Sequence, residues 1–147
     1  MKNMFTSFIL LIVLTLGVGC TGSDVDPGNE VHEITERFFA MQFFEISINT
    51  EEFLGRTIRY EGMFITHYWE YTDEYFHLVY RYTEGCCNPV EPLGLEVYLD
   101  GIDPLPDGAW VEVTGILERF DYGFLRLAVT SLIEKEERGA EFVVGLN

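Results

Sequence analysis

The run Ile58-Arg59-Tyr60-Glu61-Gly62-Met63-Phe64-Ile65 decides the fold. Residues 58, 60, 62 and 64 alternate with 59, 61, 63 and 65, which is the two-residue period of a β-strand. Gly62 falls in mid-run. A glycine there invites the sharp coil or bulge that lets one strand serve both halves of a small barrel. Fifty-three residues later the arrangement returns as Val111-x-Val113-x-Gly115-x-Leu117.

Between these runs lie two further strand patterns, Tyr75 to Tyr82 and Leu95 to Leu99, and after them comes Leu125-Arg126-Leu127-Ala128-Val129-Thr130. Turn residues separate the patterns at 71–74, 103–108 and 121–123. Five strands in this order predict a mainly β domain, a five-stranded OB-like barrel with an N-terminal helix packed on it. An open antiparallel sheet with one covering helix is the structural rival. The helix is expected from Glu36 to Ile48, capped by Thr35, with Phe39, Phe43 and Ile46 on one face and Phe38, Met41 and Ile48 widening that stripe. Val31 to Ile34 reads as a short strand before it. Asn49-Thr50-Glu51-Glu52 reads as a capping box for a further turn ending at Gly55. Downstream, Glu134 to Gly139 is a charged turn, and Ala140 to Val144 is apolar enough to return as an edge strand.

The chain begins Met1-Lys2-Asn3, continues through an apolar run from Met4 to Leu16, and reaches Gly17-Val18-Gly19-Cys20. A basic start, an apolar segment too short to span a membrane comfortably, and small residues before a cleavage point make a secretory signal. The segment resembles the lipobox of bacterial lipoproteins, with Leu16 one place further from Cys20 than usual. The resemblance implies cleavage before Cys20 and its acylation. The expected organisation is residues 1–19 as signal peptide, 20–30 as a small, polar, breaker-rich tether, and 31–147 as one domain. The expected location is the extracytoplasmic side of a bacterial membrane in the cell envelope, held by the lipid.

Removing the leader takes away Lys2 and no acidic residue, so 25 acidic residues face eight basic ones. Such a surface repels phosphate backbones, and a nucleic-acid partner is excluded. It also repels anionic headgroups, which leaves the anchor to hold the membrane. Cations are the natural small partners of such a field. With hydrophobic residues at 48% and aromatics at 15%, the chain can bury a full core, and disorder of the domain is excluded.

With Cys20 assigned to lipid, Cys86 and Cys87 are the remaining cysteines, following Gly85 in the turn between the two middle strands. Their Cα atoms lie about 3.8 Å apart across a trans peptide, below the usual bridging separation. Three readings follow: a strained vicinal disulfide, a metal-binding dithiol, or two small buried residues. Alternation groups Phe76, Leu78, Tyr80 and Tyr82 on one face and Tyr75, His77, Val79 and Arg81 on the other. With the first set and Leu95, Val97 and Leu99 turned inward, Arg81 and Glu96 are expected together on the outer face. They form either a cross-strand ion pair or part of a site in which Cys86, Cys87, Glu96 and His77 hold a borderline-soft cation, zinc foremost, with Arg81 and Gly85 in support and His67 as another imidazole.

The segment His67 to Tyr75 lies where a barrel of this type carries its first binding loop. Its aromatics suit stacking, but the interleaved acids contradict base binding, which leaves packing or protein contact. No G-x-S-x-G, H-E-x-x-H or phosphate-cradling glycine loop occurs, and the three histidines are scattered. A non-enzymatic module is expected, a thiol oxidoreductase being the catalytic alternative.

The pattern Asn49-x-x-x-Phe53-Leu54-Gly55-Arg56-Thr57-Ile58-x-Tyr60-Glu61-Gly62, with Val79-Tyr80-Arg81, Gly85-Cys86-Cys87, Gly94-x-Glu96-Val97 and Trp110-Val111-x-Val113-x-Gly115, resembles a group of small bacterial lipoproteins. More distantly it is similar to the soluble C-terminal domain of a putative permease-subunit family with the same paired-cysteine turn. The resemblance implies an extracytoplasmic OB-like domain and, through that family's association with zinc homeostasis, a metal-binding accessory to a transport or homeostasis system with a membrane-protein partner. The alternative is a structural or protein-interaction lipoprotein whose cysteine pair is only packed or disulfide-bonded.

Overall fold

The computed structural model describes residues 30–84 and 90–145. Cys20 with the signal and most of the tether, and Gly85, Cys86 and Cys87, lie outside the described residues. The chain is mainly β. Strand β1 (Val31–Glu33) leads through a 3-10 turn (Glu36–Phe38) into helices α1 (Phe39–Ile48) and α2 (Thr50–Phe53). Strands β2 (Thr57–Trp69), β3 (Glu74–Glu84), β4 (Val90–Tyr98), β5 (Trp110–Arg119) and β6 (Leu125–Glu134) follow, and β7 (Phe142–Val143) closes the series.

All seven strands join one sheet in the order β1-β2-β5-β6-β4-β3-β7, with β2 also paired to β3. The long strands therefore pair in a circuit, β2–β3–β4–β6–β5–β2, antiparallel everywhere except the parallel β4–β6 contact. The mid-strand glycines act where the alternation places them. β2 pairs with β5 through residues 57–63 and with β3 through residues 63–69, so the change of partner falls at Gly62 and Met63. A Cβ on Gly62 would stand 2.7 Å from the Tyr80 carbonyl oxygen. The β5–β6 register slips between Thr114 and Gly115. β1 adds to β2 in parallel, and β7 adds to β3 as the returning edge.

Phe39, Phe43 and Ile46 of α1 pack into a core built from alternate residues of the long strands, among them Ile58, Phe64, Val79, Val97, Val113 and Leu127. Burying each large apolar side chain stabilises by about 2 kcal/mol. Phe38, Met41 and Ile48 point outward, a correction to the wider stripe expected, because the turn of the helix leaves only one side against the sheet. Asn49 caps nothing with its side chain, and Gly55 ends the second turn at φ +81°. Tyr60 is inserted into the β3–β4 ladder: its hydroxyl donates to the Val79 carbonyl at 2.8 Å and accepts from the Leu95 amide at 3.1 Å. Val79 and Leu95 are register partners. Burial pushes the Tyr60 hydroxyl well above its ordinary titration, so it remains a neutral donor.

Among the described residues Arg81 is the one charged residue in the core, 2% exposed, which overturns its expected place on the outer face. Its Nε donates to the Glu61 carbonyl at 2.7 Å, and its Nη1 donates to Glu36 Oε2 at 2.9 Å and to the Ala140 carbonyl at 3.2 Å. The guanidinium stacks over Phe39 and Trp110, 5.0 and 4.8 Å from the ring centres. A buried cation survives only when paired and hydrogen-bonded, and here the 3-10 turn, β2 and the C-terminal segment supply the partners, with rings from α1 and β5 as cover. Since Val79 and Arg81 face inward, Phe76, Leu78, Tyr80 and Tyr82 face outward, the reverse of the expected phase.

The amide of Ala140 and the Arg81 guanidinium hold the Glu36 carboxyl below its ordinary range. A lowered folded pKa contributes stability that is fully present above the unfolded glutamate value and is lost as pH falls through the folded one. Replacing Glu36 with Ala should cost about 2 kcal/mol, less than a fully buried pair because Glu36 is half-exposed, and Glu36→Gln should cost less still. Urea denaturation at neutral and acid pH checks this: the wild-type advantage over Glu36→Ala should shrink below the ordinary glutamate range.

Candidate functional site

The reversed phase of β3 builds a groove on the outer face of the sheet. The β2–β3 turn is closed by the Thr72 and Asp73 amides donating to the Trp69 carbonyl. Asp73 takes a left-handed conformation, φ +56°, and accepts the Tyr68 hydroxyl at 2.6 Å. The β5–β6 turn is closed by the Phe120 amide donating to the Phe124 carbonyl at 2.9 Å, with Gly123 at φ +85°. These two turns bound a groove of about 770 Å³. Its floor is Phe76 and Leu78 from β3, Glu96 and Tyr98 from β4, and Leu125 and Arg126 from β6, with Trp69, Tyr75, Phe120 and Phe124 as aromatic walls.

The most solvent-facing of these aromatics are Tyr75 at 69%, Phe124 at 64% and Trp69 at 54% exposure. Scattered exposed apolar residues are ordinary, but several lining one concavity mark a contact surface. Arg126 is stacked between two of the others, its guanidinium 4.5 Å from the Tyr98 ring centre and 4.9 Å from that of Phe120. Its Nε donates to Glu118 Oε1 at 2.6 Å. Glu96 is the register partner of both Leu78 and Arg126. Desolvation raises the Glu96 carboxyl above its ordinary range, Arg126 partly opposes this, and Glu74 adds to it.

Of the expected metal ligands, Cys86 and Cys87 lie outside the described residues, and His77 and Glu96 are separated. His77 faces Val97 and Glu96 faces Leu78 in the register, so the two project from opposite faces. The His77 ring lies inward, stacked on Phe64 with centres 5.4 Å apart, and its Nδ1 is 3.0 Å from Thr66 Oγ1. Desolvation lowers its titration, with Asp107 opposing. His67 stacks instead on Phe76. The last described pair of the hairpin, Glu84 with Val90, is seven residues from His77 and six from Glu96, or about 20 Å at strand rise. Arg81, in the core, is not a neighbour of Glu96. Among the described residues no group of three or more His, Cys, Asp or Glu side chains is arranged to hold a metal ion.

Residues 23–138 match the family described as the DUF1980 C-terminal domain. The chain belongs to that family. No curated protein and no solved structure matches it. The match agrees with the expected similarity to the C-terminal domain of a larger family and carries no information on lipid or zinc. In this DUF1980 C-terminal domain, Trp69, Tyr98, Phe120, Phe124 and Arg126 are the site residues that alternation alone does not single out. The legible signal was a pair of tight turns, 70–73 and 121–123, each flanked by aromatics. Among its described residues no helix is long and apolar enough to cross a membrane.

The opposed influences on Glu96 make a measurable prediction. Carboxyl-detected NMR should find its titration above the ordinary glutamate range, and Arg126→Gln should move it further up, because the cation that favours the ionised form is gone. A downward move on that substitution would show that Arg126 does not act on Glu96 through charge.

Proposed function

We propose that the chain is a lipid-anchored, extracytoplasmic, non-catalytic binding module, an OB-like barrel with α1 packed on it, whose ligand face is the groove between the β2–β3 and β5–β6 turns. The observation that carries this reading is the open aromatic wall of Trp69, Tyr75 and Phe124 standing over the half-buried Glu96. The circuit of five long strands with one parallel contact supports the barrel, because a five-stranded Greek-key barrel needs such a contact and binds ligands on its second and third strands beside these two loops. The leader and Cys20 support an anchored domain on a short tether, within reach of a membrane-protein partner.

Amide chemical-shift mapping with peptides, oligosaccharides and small organic ions tests the ligand face. Ligands should perturb β3, β4 and the two turns, and a Trp69→Ala/Phe124→Ala variant should lose them while keeping the fold, since both side chains are largely exposed. Binding that maps to α1 or β7 instead would overturn the assignment.

Zinc is proposed at Cys86 and Cys87 without His77 and Glu96, and its support is the sequence pattern. Protein prepared without chelator should carry zinc that a Cys86→Ser/Cys87→Ser variant lacks. Equal metal content in both would end that reading, leaving a packed or disulfide-bonded pair.

A further inference from the structure

We propose that the groove takes a basic segment of a partner polypeptide, with arginine side chains stacked on its open aromatic faces; this rests on the groove being the ligand face. Glu74 from the start of β3, Glu96 from β4 and Asp121 from the β5–β6 turn line the groove, against one cation, Arg126. Arg126 is committed to Glu118, whereas Glu74, Glu96 and Asp121 make no ion pair within 4.0 Å among the described residues. The three carboxylates come from three separate elements, so they address several points along an extended chain rather than a single compact ion.

The protein already displays the contact in question. The Arg126 guanidinium sits over the rings of Tyr98 and Phe120, which is the contact a visiting guanidinium would make with Trp69, Tyr75 or Phe124. Arginine is favoured over lysine because its planar, weakly hydrated head stacks and forks onto carboxylates together. A formal charge of −16 over the chain steers cations toward the groove and turns nucleic acid away. A neutral saccharide would use the aromatic faces and hydrogen-bond its hydroxyls to the carboxylates, but it gains nothing from their net charge, so its binding would not weaken with salt.

The chain's two tryptophans supply the readout, since Trp69 stands in the groove and Trp110 is 2% exposed in the core. The probes are a short unstructured peptide alternating arginine with glycine and serine, the same peptide with citrulline for arginine, and a neutral oligosaccharide of N-acetylglucosamine. The arginine peptide should change Trp69 emission, bind about tenfold or more tightly than the citrulline peptide, and weaken as salt shortens the screening length. Glu74→Gln/Glu96→Gln/Asp121→Asn should weaken it about tenfold, and Glu136→Gln/Glu137→Gln in the far charged turn should not. Unchanged Trp110 emission certifies the fold of each variant, and Trp69→Phe should remove the signal.

Equal binding of the citrulline peptide or the oligosaccharide would overturn the cationic occupant and leave the groove as ligand face. Binding insensitive to the three groove carboxylates, or equally sensitive to Glu136 and Glu137, would reduce it to general charge attraction and overturn it as well. If no probe moves Trp69 emission at millimolar concentration, both the occupant and the ligand face fail.

Discussion

The structure depends on how Arg81 is buried. An arginine two per cent exposed needs a carboxylate, carbonyls and apolar cover at one point, and here they come from the 3-10 turn before α1, α1 itself, β2, the start of β5 and the C-terminal segment. Once that point is satisfied, β3 has a single permitted phase. Its alternate residues must turn outward, which carries Phe76 and Leu78 to the outer face beside Glu96 and Tyr98 of β4. The groove is thus a consequence of core electrostatics. Gly139 shows how closely the clasp is fitted, because a Cβ there would stand 2.6 Å from Glu36 Oε2 and 3.0 Å from the Trp110 ring.

Much of this could be read from single residues. Gly62 and Gly115 mark positions where a β-strand must change partner or slip register, and both do so. The short strand at Val31 and the returning edge at Phe142 followed from alternation and apolar content. Alternation failed at β3 because both of its faces are rich in large side chains, so period alone cannot say which is inner. A face holding His77 and Arg81 reads as the wet one. What reverses it is Glu36, forty-five residues earlier in the chain, and no local pattern reports such a partner. The outer residues of α1 and of the turn before it were misplaced for a related reason: Phe38 and Met41 are as apolar as Phe39 and Phe43, and only the packed sheet distinguishes them.

The candidate site was legible in half. The acid-interleaved aromatics from His67 to Tyr75 stood out as a loop suited to protein contact, and two of them, Trp69 and Tyr75, form one wall of the groove. The opposite wall comes from residues some fifty positions later, brought across by the β5–β6 turn and the parallel β4–β6 pairing. Glu96 was singled out for its position near a turn, yet what distinguishes it is a desolvated place on the floor beside Arg126. His77, singled out with it, is a partly buried ring stacked on Phe64 whose neighbour is a threonine hydroxyl.

The bond from the Ala140 amide to Glu36 spans 104 residues and so joins nearly the two ends of the domain. Long separations of this kind are entropically late, since the loop between them must close before the contact rewards it. During synthesis Arg81 therefore emerges with Glu36 already available but without its last carbonyl, and the core can hold this buried charge fully satisfied once residue 140 has appeared. Emergence of the segment around residue 140, rather than accumulation of apolar contacts before it, sets the moment at which the Arg81 cluster can close.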